Sequence, residues 1–171
     1  MSHEFEVLEP EEKKSRPGFL TVLGILSFIS IGMNLALLLF QLISGKPSEA
    51  EMLQEKVALS ESITEMEDLG MDSFAEFFEK AQAMSEQFNE RFYIAISISI
   101  LTYLIGLFGV IRMWKGHKLG FHLYIIYSLL AIGGVYLYIS PANVPALGVI
   151  INAVISGIFI FMYSRNLKWM K

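Results

Sequence analysis

Residues 19–43 read FLTVLGILSFISIGMNLALLLFQLI and contain no aspartate, glutamate, lysine or arginine. A helix needs about 20 consecutive apolar residues to cross the hydrocarbon core of a bilayer. A helix at the surface of a soluble protein instead carries a continuous polar face, which this stretch lacks. The stretch therefore predicts a transmembrane helix. It is also much longer than the roughly 7–15 apolar residues of a cleaved signal peptide.

Two further uncharged stretches follow, over residues 92–111 and 119–164, and the second contains a short turn at Pro141 and Pro145. Charged residues make up 18% of the chain, against about 25% in typical soluble proteins. Because lipid cannot hydrogen-bond to exposed backbone groups, uncharged stretches of this length predict helix.

We therefore predict an all-α membrane protein with four transmembrane helices and an extracytoplasmic helical hairpin between spans one and two. The predicted segments are a cytoplasmic N-terminal arm (1–18), transmembrane helix 1 (19–43), an acidic extracytoplasmic hairpin (44–91), transmembrane helices 2 (92–113), 3 (119–139) and 4 (144–163), and a cytoplasmic tail (164–171).

The distribution of lysine and arginine predicts the orientation, because cytoplasmic loops carry an excess of both. With four spans, basic residues of the N-terminal arm, the link between spans two and three and the C-terminal tail fall on one side. They are Lys13, Lys14, Arg16, Arg112, Lys115, Lys118, Arg165, Lys168 and Lys171. We predict that both termini are cytoplasmic and that the acidic segment 44–91 lies outside.

The acidic segment carries two patterns typical of helix starts. Ser48 with Glu51, and Ser73 with Glu76, each have the spacing of a capping box, in which each residue of the pair satisfies a backbone N–H near the other. Neither proline nor glycine separates the second helix from the second span. We therefore predict one continuous helix over about 73–113, projecting far beyond the bilayer.

The second helix of the segment carries an apolar stripe at helical spacing, formed by Phe74, Phe77, Phe78, Met84 and Phe88. Three destinations are open for this stripe: the first helix of the hairpin, an oligomer or protein partner, or the outer membrane leaflet. Large apolar surfaces usually mark contacts. The glutamate-rich polar face is less typical of a membrane-surface helix, which favours lysine and arginine.

No aspartate, glutamate, lysine or arginine falls at mid-membrane depth in the four predicted spans, since Arg112 stands at the cytoplasmic end of the second. Asn34 and Asn152 are the candidates for an intramembrane polar site, because an amide near mid-span needs a hydrogen-bond partner. A channel or carrier would need a cavity lined by Asn34, Tyr103, Tyr127 and Asn152. The simpler interpretation is that such groups hydrogen-bond between neighbouring helices.

The sequence offers no catalytic constellation, so we expect a protein that is not an enzyme. The chain has no cysteine, which excludes disulfides and cysteine-ligated zinc. The acidic residues of the insert lack the spacing of a calcium loop. We predict no cofactor, no metal site and no nucleic-acid partner.

The first span opens with RPGFLTVLGILSFI at residues 16–29, and the link to the third span reads WKGHKLGFHLY at residues 114–124. With these two stretches the chain resembles small uncharacterised bacterial four-span integral membrane proteins. The resemblance covers the spans but not the acidic hairpin. It implies a location in the bacterial inner membrane and carries over no functional residue.

Two functions remain open. The first is an interaction, scaffold or accessory role through the projecting hairpin, with the stripe as its contact surface. The alternative is a channel or carrier for a neutral or lipid-like molecule. Besides the lipid bilayer, the expected partner is a second copy of the chain or another membrane protein.

Overall fold

A computed structural model describes residues 15–171, and the predicted N-terminal arm lies largely outside these residues. The described chain is helical, without strands. Its helices are α1 (Gly18–Ser44), α2 (Glu49–Asp68), α3 (Asp72–Glu90), α4 (Phe92–Trp114), α5 (Lys118–Gly133) and α6 (Ala146–Ser164), and two short 3-10 helices, Gly134–Leu137 and Pro141–Asn143, lie between α5 and α6.

Four of the helical segments are long and apolar enough to cross a membrane: α1, α4, α6, and α5 together with its 3-10 extension to Leu137. Their mean hydropathy lies between 1.6 and 2.4. Much of their apolar surface faces outward, most of all on α6, where Tyr163 is the single fully buried residue. Apolar surface of this extent is what lipid-facing helices present.

Helix α4 lies between α1 and α5, and small residues allow the close contacts. A Cβ atom on Gly109 would lie 3.1 Å from the backbone oxygen of Gly120, so α4 and α5 approach each other through these two glycines. On the other side of α4, the ring of Trp114 covers Gly24 of α1. Glycine permits such backbone approach in membrane helices.

The starts of α1 and α5 and the ends of α4 and α6 meet at one end of the bundle, which we name the basic end. The guanidinium of Arg16 lies 3.9 Å from the ring centroid of Trp114. The backbone of Lys171 accepts a hydrogen bond from the Lys118 N–H and donates one to Gly116. These contacts join the described ends of the chain to the link between α4 and α5.

Helices α2 and α3 pack against each other at the opposite, acidic end. Lys56 and Glu86 form a 3.0 Å ion pair, and the Ser85 hydroxyl donates to Glu55 at 2.8 Å. Ser48 caps α2 through a capping box with Glu51, as its spacing indicates.

The predicted second capping box is wrong. Helix α3 begins at Asp72 after Met71, and no side chain caps its first turn. Glu76 instead pairs with Lys80 one turn later, at 2.6 Å. An ion pair with a following lysine satisfies the carboxylate that the capping box would have used.

The continuous helix over 73–113 is also wrong, because α3 ends at Glu90 and α4 begins at Phe92. Arg91, between them, has φ −108° and ψ 27°, which interrupts the helical path. The interruption lets α3 pack on the turn between α5 and α6, where the Ser140 N–H donates to Gln87 Oε1 at 2.8 Å. The same arrangement brings the apolar ring of Phe88 against Tyr138, which buries apolar surface between α3 and this turn.

Candidate binding cavity

A cavity of about 570 Å³ lies between α1 and α6, with α4 and α5 behind it and the first turns of α3 at one end. Small-molecule sites in proteins usually have volumes of 300–1,000 Å³ and mainly apolar walls with a few polar groups. This cavity has the same character, because aliphatic and aromatic residues surround a small set of amides and hydroxyls.

The polar part of the cavity contains Asn34 on α1, Tyr103 on α4, Tyr127 on α5, and Asn152 with Ser156 on α6. These include the four residues that the sequence analysis named for a carrier cavity, and the fold brings all four to one space. The two amides do not bond to each other. Asn34 donates to the Ser30 carbonyl at 2.8 Å, and Asn152 accepts from the Ser156 hydroxyl at 3.2 Å.

Tyr127 owes its position to a glycine on the neighbouring helix. A Cβ atom on Gly106 would lie 2.7 Å from Cδ2 of Tyr127, well inside van der Waals contact. The absence of a side chain at this position therefore lets the tyrosine ring lie against the α4 backbone. Its ring centroid is 5.9 Å from that of Tyr103 and 5.5 Å from that of Tyr124.

The cavity is closed toward the basic end by a contact between α1 and α6. The Tyr163 hydroxyl donates to Ser27 Oγ at 2.9 Å, and both residues are buried. Tyr124 packs on the Tyr163 ring with a centroid distance of 4.9 Å. Ser27 and Tyr124 line the cavity themselves, so this cluster forms its floor.

The apolar stripe of α3 is divided between two places. Phe74, Phe77 and Phe78 line the cavity near its acidic end. Phe88 contacts Phe92 and Tyr138, with centroids 6.0 Å and 6.2 Å away.

Two smaller cavities adjoin the main one at Asn152. One, of about 200 Å³, continues between α4 and α5 and shares Tyr103 and Tyr127 with the main cavity. The other, of about 220 Å³, is mainly apolar and has Phe77 and Met84 in its walls. Asn152 lines all three. Helix α6 is thus held away from the rest of the bundle along the half that contains this amide.

No acidic, basic or histidine side chain within residues 15–171 lines the main cavity. The perturbed carboxyl groups lie elsewhere, on α2 and α3. The backbone N–H and hydroxyl of Ser48 lower the pKa of Glu51, and Lys80 lowers the pKa of Glu76. Both carboxylates are exposed, which is the setting of helix capping and surface pairing.

Sequence reasoning missed the residues that close the cavity. In the sequence, Tyr163 resembles an aromatic residue at the membrane interface, and Ser27 is one small residue in an apolar span. No local sequence pattern indicates that the two residues are in contact. Leu26 and Phe159, which line the same space, are indistinguishable in sequence from lipid-facing residues. Their role depends on which helix lies opposite, and the pattern along one span does not contain that information.

Comparison with known protein families, with curated proteins and with solved structures gives no match. The resemblance to small bacterial four-span proteins therefore stays a prediction from the two quoted stretches. The candidate function rests on the geometry of the cavity.

Proposed function

We propose that this chain is a non-enzymatic, multi-pass membrane protein that binds an uncharged, lipid-like molecule in the cavity between α1 and α6. The observation that carries the proposal is a space of about 570 Å³ between two apolar helices, with aliphatic and aromatic walls and a few neutral polar groups. The proposal keeps the neutral or lipid-like molecule of the channel or carrier alternative that the sequence left open, but assigns the chain to binding the molecule and not to transporting it.

The proposed orientation places the basic end in the cytoplasm, in accordance with the lysine and arginine bias. Asn152 then lies six residues from the outer start of α6, which corresponds to a depth of about 9 Å along the helix. The cavity therefore runs through the outer half of the bilayer and past its middle, since Phe159 lies 13 residues from the same start, or about 20 Å along the helix. A lipid-like molecule could enter it sideways between α1 and α6, since Leu26, Ile151 and Ile155 line the space and are exposed.

The closed floor favours binding over conduction. Tyr163 and Ser27 join α6 to α1 below the cavity, and Tyr163 is 0% exposed. A channel would need a polar path that continues past this contact, and a carrier would need the contact to open. We therefore propose a role in binding or presenting the molecule from the outer leaflet.

The stripe supports the same proposal. Phe77 and Phe78 are partly buried and line the cavity, so their rings would contact the bound molecule. To form a contact surface for another protein, these two phenylalanines would have to turn away from the cavity.

The test is native mass spectrometry of the full chain, extracted gently so that lipid copurifies. We expect a monomer or oligomer with additional mass from a stoichiometric lipid-like molecule. Ser156→Phe places a ring in the cavity and should remove that mass. Ala153→Phe is the matched control, since Ala153 lies one turn away on an exposed face of α6 and lines none of the three cavities. Equal occupancy in both variants would contradict the proposal.

An interaction role is the second candidate, and exposed residues of α2 favour it. Leu53 is 63% and Val57 48% exposed, one turn apart on a helix rich in charge. Exposed apolar pairs outside the spans are typical of contact sites. A defined homo-oligomer or a stoichiometric second protein in the same spectra, lost on Leu53→Ser with Val57→Ser, would support this role.

A further inference from the structure

The cavity contains several hydrogen-bond donors without a partner among the described residues. Asn34 uses one amide hydrogen on the Ser30 carbonyl and keeps the other. Asn152 receives the Ser156 hydroxyl on its oxygen, which leaves both of its amide hydrogens unused. Within residues 15–171 the hydroxyls of Tyr103 and Tyr127 make no hydrogen bond.

A donor that faces an apolar space without a partner costs free energy. In this cavity the cost falls on several donors at once, because Tyr103, Tyr127 and Asn152 line the same region from three helices. A molecule whose acceptor oxygens lie next to Tyr103, Tyr127 and Asn152 would satisfy these donors together.

The residues that line the cavity also disfavour a charged ligand. The lining contains no side chain of opposite charge for a phosphate, carboxylate or ammonium group, so far as residues 15–171 are concerned. Burying an unpaired charge in the membrane costs several kcal/mol or changes its protonation. A neutral group is therefore strongly preferred.

We infer that the molecule bound in this cavity is an uncharged lipid whose head group presents carbonyl oxygens to Asn34, Asn152, Tyr103 and Tyr127. This inference rests on the proposed function and specifies its ligand class. The apolar part of the molecule lies along Leu26, Ile155 and Phe159, which line the rest of the cavity. Two sources share this chemistry: the ester carbonyl of a neutral glycerolipid and the ring carbonyls of a lipid-tailed quinone.

The experiment measures binding of matched probes to the delipidated full chain by native mass spectrometry. Methyl oleate supplies an uncharged carbonyl, oleate supplies a charged carboxylate, and octadecene supplies a similar chain without oxygen. We expect methyl oleate to bind about fivefold or more tightly than octadecene, from one to two hydrogen bonds of ordinary strength. Oleate should bind more weakly than its methyl ester.

Asn152→Leu removes donors at similar volume and should weaken methyl oleate binding about fivefold, with octadecene unchanged. Asn34→Leu, on the opposite wall, is a second variant with the same expectation. Asn143→Leu, in the turn before α6 and away from the cavity lining, is the control and should leave both affinities unchanged. Monooleoylglycerol and decylubiquinone then distinguish the two sources, since the tighter of the two identifies the carbonyl type.

Two outcomes overturn the inference and leave the proposed function intact. They are octadecene binding as tightly as methyl oleate, and oleate binding as tightly as its ester. If no probe binds, and Ser156→Phe behaves like the unaltered chain, both the inference and the proposed function are overturned.

Discussion

Replacing Gly106 by alanine should push a tyrosine ring into the cavity. The new Cβ atom would lie 2.7 Å from Cδ2 and 2.8 Å from Cγ of Tyr127. Carbon atoms in good contact are about 3.5–4.0 Å apart, so the ring must move by about 1 Å. Tyr127 lines the main cavity on its free side, and it should therefore move in that direction.

The expected cost can be isolated with a matched glycine. Gly157 on α6 has no atom within 4 Å of its added Cβ position, so Gly157→Ala adds the same methyl group without a clash. Both variants gain the same helix propensity, which cancels in the comparison. Overpacking usually costs about 1–3 kcal/mol, and we expect Gly106→Ala to be less stable than Gly157→Ala by the lower part of that range, because the cavity accepts the ring.

The free energy of unfolding can be measured by titrating the protein in mild detergent with sodium dodecyl sulfate. Tryptophan emission is a suitable signal, since Trp114 packs on Gly24 in the bundle. Native mass spectrometry of the same samples should show less copurified lipid in Gly106→Ala than in Gly157→Ala. Equal stability and equal lipid occupancy in the two variants would refute the placement of Tyr127 against α4.

Three further outcomes are expected. Gly24→Ala should lower the free energy of unfolding by about 1–3 kcal/mol and shift tryptophan emission, because its Cβ would lie 2.5 Å from Cε3 of Trp114; unchanged emission would contradict this contact. Tyr163→Phe keeps the ring and removes the bond to Ser27, so the same titration should show a loss of about 0.6 kcal/mol and no more than about 1.7. Because the pKa of Glu51 is lowered from 4.5 in the folded chain, the stability from its capping contact is present above pH 4.5 and is lost as the pH falls through the lowered pKa. Carbon NMR of the carboxyl group measures that pKa, and Glu51→Gln should remove the part of the pH dependence that Glu51 contributes, leaving that of Glu76; a midpoint at or above the ordinary value would be inconsistent with the cap.

Local patterns in the sequence predicted the features that depend on few neighbours. The Ser48–Glu51 capping box forms because its partners are three residues apart and meet whenever the helix starts there. The Ser73–Glu76 pair has the same spacing, yet Glu76 pairs with Lys80. Ser73 and Lys80 are both close enough in sequence to bind the Glu76 carboxylate, and their spacing alone does not show which contact is the more stable.

The interruption between α3 and α4 at Arg91 shows a different limit of prediction from sequence. Nothing in residues 88–92 breaks a helix by propensity, and the interruption coincides with contacts to a distant turn. Gln87 accepts from the Ser140 N–H, and Phe88 contacts Tyr138. A tertiary contact of this kind can override helix propensity, which amounts to less than about 1 kcal/mol per ordinary residue.

The sequence by itself determined that this chain has four helices long and apolar enough to cross a membrane, since in lipid each span must satisfy its own backbone hydrogen bonds. It also singled out Asn34 and Asn152 as unusual neutral groups in such spans. The tertiary structure alone decided that they line one cavity, that Tyr163 and Ser27 close it, and that Phe74, Phe77 and Phe78 line its acidic end. The physical reason is that a span with apolar residues on all sides has little periodicity to indicate which of its faces packs on another helix. The pairing of the helices and the spaces between them therefore depend on how side chains from distant segments fit together.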